Sequence, residues 1–168
     1  MTRVYVPTTL TVLAQMAKRG VLNPDAADSA PLPAHAVTAA IREWYTDDDV
    51  ESLEFAALTE AGEASLRMLA EDPRFPRRVV LALDVPAQAV RPEGPFRSSV
   101  TLEVEVPLSE VVSLHVDEPE AEDIMLAAIA ALNAADAGDE DAQFLLEEAN
   151  ACDLLWYDIS EIDDLISD

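Results

Sequence analysis

The chain alternates between two spacings of apolar residues. In RVYVP (3–7), Val4 and Val6 alternate with Arg3 and Tyr5, the period of a strand. Leu10, Leu13, Met16 and Ala17 then recur at three- and four-residue steps. That spacing predicts a helix, which Thr8 or Thr9 can cap and Gly20 ends. Residues 21–36 hold Pro24, Pro31 and Pro33 and read as a loop. VTAAIREWY (37–45) reads as a short helix capped by Thr38. A long helix starts from TDDDV (46–50), with Asp48 or Asp49 as its cap and acids suited to its positive end. Phe55, Leu58, Gly62, Leu66 and Leu69 share one face of it. Val50, Leu53, Ala57 and Ala64 widen that face, and Pro73 closes the helix.

RVVLALDV (78–85) is almost wholly apolar, as expected of a central strand covered on both faces. A Pro-rich loop over 86–97 leads to SVTLEVEV (99–106) and VSLHV (112–116), which both alternate. Matching their apolar faces in a hairpin sets Val104 opposite Leu114 and Glu103 opposite His115. Asp117 is expected to cap a helix to about Ala135 with Pro119 in its first turn, and Gly138 to end it. Asp139 caps another, to about Asn150. LLWYD (154–158) reads as a last strand, and Ser160 opens a closing helical turn with Asp163 in the capping-box position. Helices grouped between runs of strands imply an α+β fold. The expectation is a single domain over 1–168, with a mixed, largely antiparallel sheet of about five strands packed with about five helices.

Charge changes this picture. The net charge is −24, and half of the 168 residues are hydrophobic, which supports a packed core rather than disorder. Residues 1–97 carry 10 Lys/Arg and 14 Asp/Glu, a net of −4; residues 98–168 carry 20 Asp/Glu and no Lys or Arg, a net of −20. Such a field repels nucleic-acid backbones and anionic membrane surfaces and attracts basic partners. The single cysteine, Cys152, allows no internal disulfide and fits a reducing compartment. The N-terminus has no apolar signal core, and the longest helical apolar stretch, Met125 to Leu132, is too short to span a bilayer. A cytoplasmic location is expected. Nine Arg to one Lys, with abundant Ala, suggest a high-GC bacterium.

Candidate chemistry is sparse. The four glycines, Gly20, Gly62, Gly94 and Gly138, are scattered, so there is no phosphate-cradling loop. No GxSxG elbow is present. His35, His115 and Cys152 lack metal-ligand spacing, and Cys152 beside acids reads as a dull thiol that fills space. DEPEAED (117–123) reads as acids at a helix start, and DAGDEDAQFLLEE (136–148) fails as an EF-hand because Phe144 takes the glycine position and Asn150 the bidentate Glu position. No metal, cofactor or catalytic residue is expected. Of the adjacent Trp156 and Tyr157, one faces the core and the other a helix or groove. Arg74, Arg77, Arg78, Arg91 and Arg97 are expected to offset the acidic half within the fold, the alternative being that PRFPRR (73–78) is a docking loop.

RVYVP, AVTAAIREWY, ESLEFAAL, VVLALDVP, SLHVDEPEAE, GDEDAQFLLEEA and LLWYDISEIDDL, in that order, resemble the actinobacterial DUF6912 family of uncharacterised proteins. The resemblance runs through most of the chain. It implies a bacterial cytoplasmic protein and brings no activity and no site residues with it.

Three functional expectations follow from the residues, the third being that the charge serves solubility or salt adaptation and that function lies in another pocket. The first is a non-enzymatic protein-interaction or regulatory module that binds a basic partner through the acidic C-terminal half, at Asp139, Glu140, Asp141, Glu147, Glu148 and Trp156. The alternative is a small-molecule-binding protein or enzyme with a pocket near Tyr5, Arg42, Tyr45 and His115, beside Trp44. The oligomeric state is not legible in the sequence.

Overall fold

A computed structural model describes residues 1–24, 31–45 and 49–167. These residues form seven strands in one sheet and six α-helices. The strands are β1 (Thr2–Thr8), β2 (Leu32–Ala36), β3 (Val79–Val85), β4 (Val90–Pro92), β5 (Ser99–Leu102), β6 (Val111–Asp117) and β7 (Leu154–Tyr157). The helices are α1 (Leu10–Arg19), α2 (Ala39–Trp44), α3 (Val50–Leu69), α4 (Glu122–Asp136), α5 (Glu140–Asn150) and α6 (Ile162–Ile166). The spatial order is β4-β5-β2-β1-β3-β6-β7. Every pairing is antiparallel, so the α+β class stands while the expected parallel contribution and the count of five strands do not.

β1 and β3 lie at the centre and are covered on both faces. On one face, Val4, Val6, Leu81, Leu83, Leu114 and Leu102 meet Leu10, Leu13 and Met16 of α1 and Leu165 of α6. On the other, Ala57 and Ala61 of α3 press on Tyr5, Val80 and Ala82. Each fully buried Leu or Val contributes about 1.5–3 kcal/mol relative to exposure. The far end of α3 joins the α4–α5 hairpin through Leu66, Leu69, Met125, Ala128 and Leu146.

α3 buries Leu53, Ala56, Ala57, Ala61, Gly62, Ser65, Leu66 and Leu69, whereas Phe55 is 64% exposed. Gly62, Leu66 and Leu69 face inward as expected, with Leu53 and Ala57 beside them, but Phe55 turns outward and Ala56, Ala61 and Ser65 complete the buried face. Small side chains bring the helix close to the sheet, and a search for large apolar residues misses such a seam. Closeness also places Ser65 Oγ between two strand ends, where it donates to Thr8 O at 2.7 Å and accepts from Val79 N at 3.0 Å.

The caps follow local chemistry. Thr9, Thr38, Asp49 and Asp139 each accept from a backbone N–H in the first turn of their helices, while Asp48 lies outside the described residues. Gly20 (φ 78°) and Gly138 (φ 99°) take the left-handed turn after α1 and α4. Two expected caps are wrong. Asp158, not Ser160, caps the last turn, with Glu161 rather than Asp163 closing the capping box. Asp117 is the buried last residue of β6, and no side chain caps α4.

Two readings of loops and one of a hairpin also change. Leu32–Ala36 is a strand despite Pro33. The β1–β2 register pairs Val4 with Ala36 and Tyr5 with His35, and continuing it sets Pro7 opposite Pro33. Two residues without N–H groups end the ladder there. Val90–Pro92 is a short strand inside the 86–97 segment. SVTL pairs with β2 and β4, not with β6, so Val104 does not face Leu114 and Glu103 does not face His115. β5 stops at Leu102. The chain then turns away, Val106 N donating to Asn23 Oδ1 and Val106 O accepting from Leu22 N. Strands β2, β1 and β3 separate β5 from β6. Hydrophobic matching could rank registers for a hairpin, but not establish that the two strands were neighbours.

Candidate functional site

The four residues expected to form a pocket are dispersed over two regions. Tyr5 is buried under α3, and burial first, then Glu54, pushes its phenol up to about 12. His115 lies two strands away on β6, half-buried, with Nε2 3.1 Å from Ser113 Oγ; burial, then Arg3, lowers its pKa. Arg42 is exposed on α2, and Tyr45 is its C-terminal cap. α2 packs on α3 through Ile41, Leu53 and Ala56 and is tied by a Thr38 hydroxyl donating to Arg97 O. Trp44 stacks under the Arg97 guanidinium, 3.5 Å from the ring centroid. No hydrogen bond or ion pair among the described residues links Tyr5, Arg42, Tyr45 and His115.

Another Ser–His contact was not singled out in the sequence. His35 Nδ1 lies 2.7 Å from Ser98 Oγ, with Phe96 edge-on to the imidazole. Burial lowers the His35 pKa to about 4. Ser98 is fully buried, and its N–H is held by Glu60. A hydroxyl without access cannot reach a substrate, so this contact joins β2 to the start of β5.

The other internal polar centre is an ion pair. Arg78 (2% exposed) and Asp117 (0%) lie at the ends of the adjacent strands β3 and β6. Asp117 Oδ2 accepts from Arg78 N and Nε, and Oδ1 from Nη2; Nη2 also donates to Cys152 O. Thus Arg78 offsets one acid of the C-terminal half, and Arg67–Asp136 and Arg91–Glu103 offset two more. Arg74 instead pairs with Asp72, and Arg77 Nε donates to Asp117 O.

Of two cavities at this end of the sheet, one borders the ion pair and the other lies beside Arg77. One of about 350 Å³ lies between α3 and the start of β7, lined by Phe55, Leu58, Arg78, Asn150, Cys152 and Leu154. Burial raises the Cys152 pKa, which keeps the thiol protonated and weakly nucleophilic. The other, about 430 Å³, opens between α1, α6 and the 74–77 turn, with Lys18, Arg77 and Glu122 around apolar walls.

Of the residues expected to meet a partner, Asp139, Glu140, Asp141, Glu147 and Glu148 lie on α5 or at its cap, and Trp156 lies on β7. Asp139 is partly committed as the α5 cap, Oδ1 accepting from Ala142 N at 3.1 Å. Glu140, Asp141, Glu147 and Glu148 are exposed, because α5 turns Ala142, Leu146 and Ala149 toward α4. None of these four carboxylates makes an ion pair with a described residue. Between them stands Phe144, 58% exposed. Residues three and four positions away are its neighbours on a helix surface, and here those positions are Asp141 and Glu140 on one side and Glu147 and Glu148 on the other. In the sequence Phe144 stands out only as the residue at the glycine position of the EF-hand pattern, and its exposure is set by the packing of Ala142, Leu146 and Ala149 on α4. Trp156 on β7 is 62% exposed, while its neighbour Tyr157 packs against the sheet core.

Comparison with curated proteins finds no match, and comparison with solved structures finds none either. The model described as family of unknown function (DUF6912) matches residues 2–166, and the chain belongs to that family.

Proposed function

We propose that this protein is a non-enzymatic interaction or regulatory module of the cytoplasm, which binds a basic protein partner through its acidic C-terminal half. The observation that carries the reading is Phe144 exposed within Glu140, Asp141, Glu147 and Glu148. Solvent-facing helix surfaces ordinarily mix charge signs to gain i,i+4 pairs. An aromatic anchor with a charged rim is the usual composition of a contact surface, where the anchor supplies affinity and the rim supplies steering and partner choice. The buried Ser98 and the protonated Cys152 offer no ready nucleophile in support of an enzyme.

The test is affinity capture from the native cytoplasm at physiological ionic strength, followed by a high-salt wash and mass spectrometry. A basic protein is expected in near-equal amount, lost when Phe144→Ala is combined with Glu140→Gln, Asp141→Asn, Glu147→Gln and Glu148→Gln. The reading fails if nothing is retained, or if the same mixture of basic proteins elutes from both forms.

A further inference from the structure

The two edges of the sheet are built differently. β4 has three residues, ends in Pro92, and its Arg91 is held to Glu103 at 3.2 Å. A short strand with a proline and a cation is a common way to prevent edge-to-edge pairing. β7, Leu154–Tyr157, has no Pro, Lys or Arg, and leaves Leu155 39% and Trp156 62% exposed.

The phase of the ladder shows which groups face outward. Asp117 N donates to Arg78 O, so the Asp117 main chain points to β3. Along an antiparallel strand this direction alternates, so Val116 and Leu114 point to β7. Their register partners Leu155 and Tyr157 point back to β6. Leu154 and Trp156 therefore turn their N–H and C=O groups to the open edge, where no backbone hydrogen bond from a described residue meets them.

We propose that this edge accepts an extended, Lys- or Arg-rich segment of a partner protein as an eighth strand, with Trp156 covering its side chains. The inference rests on the basic-partner reading above and adds to the α5 surface a second place of contact, the β7 edge, and its mode of binding. Charge selects the occupant. Asp153 and Asp158 flank β7, in a half of the chain that carries a net of −20. A second copy of this chain would bring the same charge to the edge and is repelled. A basic strand meets the opposite sign and receives two sets of main-chain hydrogen bonds, the ordinary source of affinity in strand addition.

The test is calorimetric titration of the full chain at low salt with a ten-residue peptide of alternating Lys and Val. The control is the same peptide N-methylated at every backbone amide, which keeps the charge and removes the donors on both edges. The unmodified peptide is expected to bind at least about tenfold more tightly, the ratio that a lost hydrogen bond or two produces. Amide exchange at Trp156 N–H should slow in its presence. Trp156→Pro is expected to weaken binding beyond Trp156→Ala, because only Pro removes the outward N–H; if it unfolds the chain, the peptide pair and the exchange at Trp156 decide alone. Equal binding of the two peptides overturns strand addition while the basic-partner reading stands. Binding of neither also overturns it, and the cytoplasmic capture then decides the broader reading. A dimer that forms without peptide and is lost in Trp156→Pro assigns the edge to a second copy and overturns the proposal.

Discussion

Replacing Asp117 by Asn tests the polar centre of the fold most directly. The substitution keeps nearly the same volume and removes one charge, so packing is conserved and electrostatics is not. In the native chain the carboxylate accepts three N–H groups of Arg78 at 2.7–2.9 Å, and neither side chain has appreciable contact with solvent. The Asn amide can accept in place of one oxygen but presents donors where the other stood, against a guanidinium that has none to accept them. Arg78 would then hold a buried positive charge without its counter-ion. Breaking such a pair from one side costs about 3–5 kcal/mol, against a total stability of about 5–15 kcal/mol for a typical domain. The assay is urea unfolding followed by far-ultraviolet circular dichroism, since Trp44 and Trp156 are exposed and report poorly on the core. The double variant Arg78→Met with Asp117→Leu removes both charges. It is expected to cost at least about 2 kcal/mol less than the sum of the single variants Arg78→Met and Asp117→Leu, the coupling expected of groups in direct contact. A cost below about 1 kcal/mol for Asp117→Asn, or additivity in the double variant, would refute the account.

Three further outcomes follow from neighbouring geometry. In Gly62→Ala, the new Cβ would stand 3.2 Å from Arg78 Nη1, which the ion pair holds in place; unfolding should show a loss of stability in the native background and a gain approaching about 1 kcal/mol with Arg78→Met, where helix propensity acts alone. His35 has a folded pKa of about 4 against an ordinary 6.5, so the stability it contributes is complete above 6.5 and is lost as pH falls toward 4. Comparing urea unfolding at pH 7 and pH 4, His35→Gln should remove about 3 kcal/mol of the native pH dependence. Leu53→Ala should cost about 2–5 kcal/mol, while Phe55→Ser should change stability by less than about 0.5 kcal/mol, because the first is 2% and the second 64% exposed; the opposite order in thermal unfolding would mean that α3 is rotated the other way.

Much of the local structure was legible in the residues. Thr9, Thr38 and Asp139 cap their helices as expected because a short polar side chain bonds an N–H only two or three residues on. Gly20 and Gly138 end helices because they enter the left-handed region at little cost. The apolar run 79–85 is the doubly covered strand it resembles, since burial on both faces removes the polar alternation. On the candidate surface, the exposure of Glu140, Asp141, Glu147 and Glu148 was legible, as the helical period places them away from Ala142, Leu146 and Ala149.

Tertiary structure decided the rest, because it depends on which distant segments meet. Asp117 has the local context of a cap, but a partner 39 residues earlier takes its carboxylate. The alternation of 99–106 and 112–116 suits a hairpin, yet β5 finds β2 and β6 finds β3, so neither the Val104 nor the Glu103 contact forms. Phe55 is the largest apolar residue on α3, but small neighbours allow the closer approach and turn it outward. By itself the sequence determined the period of most of its elements, the caps of α1, α2, α3 and α5 and the sign of its field, all properties of neighbours along the chain. The order of strands, the open edge at β7 and the burial of Arg78 with Asp117 arise only when remote segments pack, since pairing partners are chosen by the whole core and not by the few residues that pair.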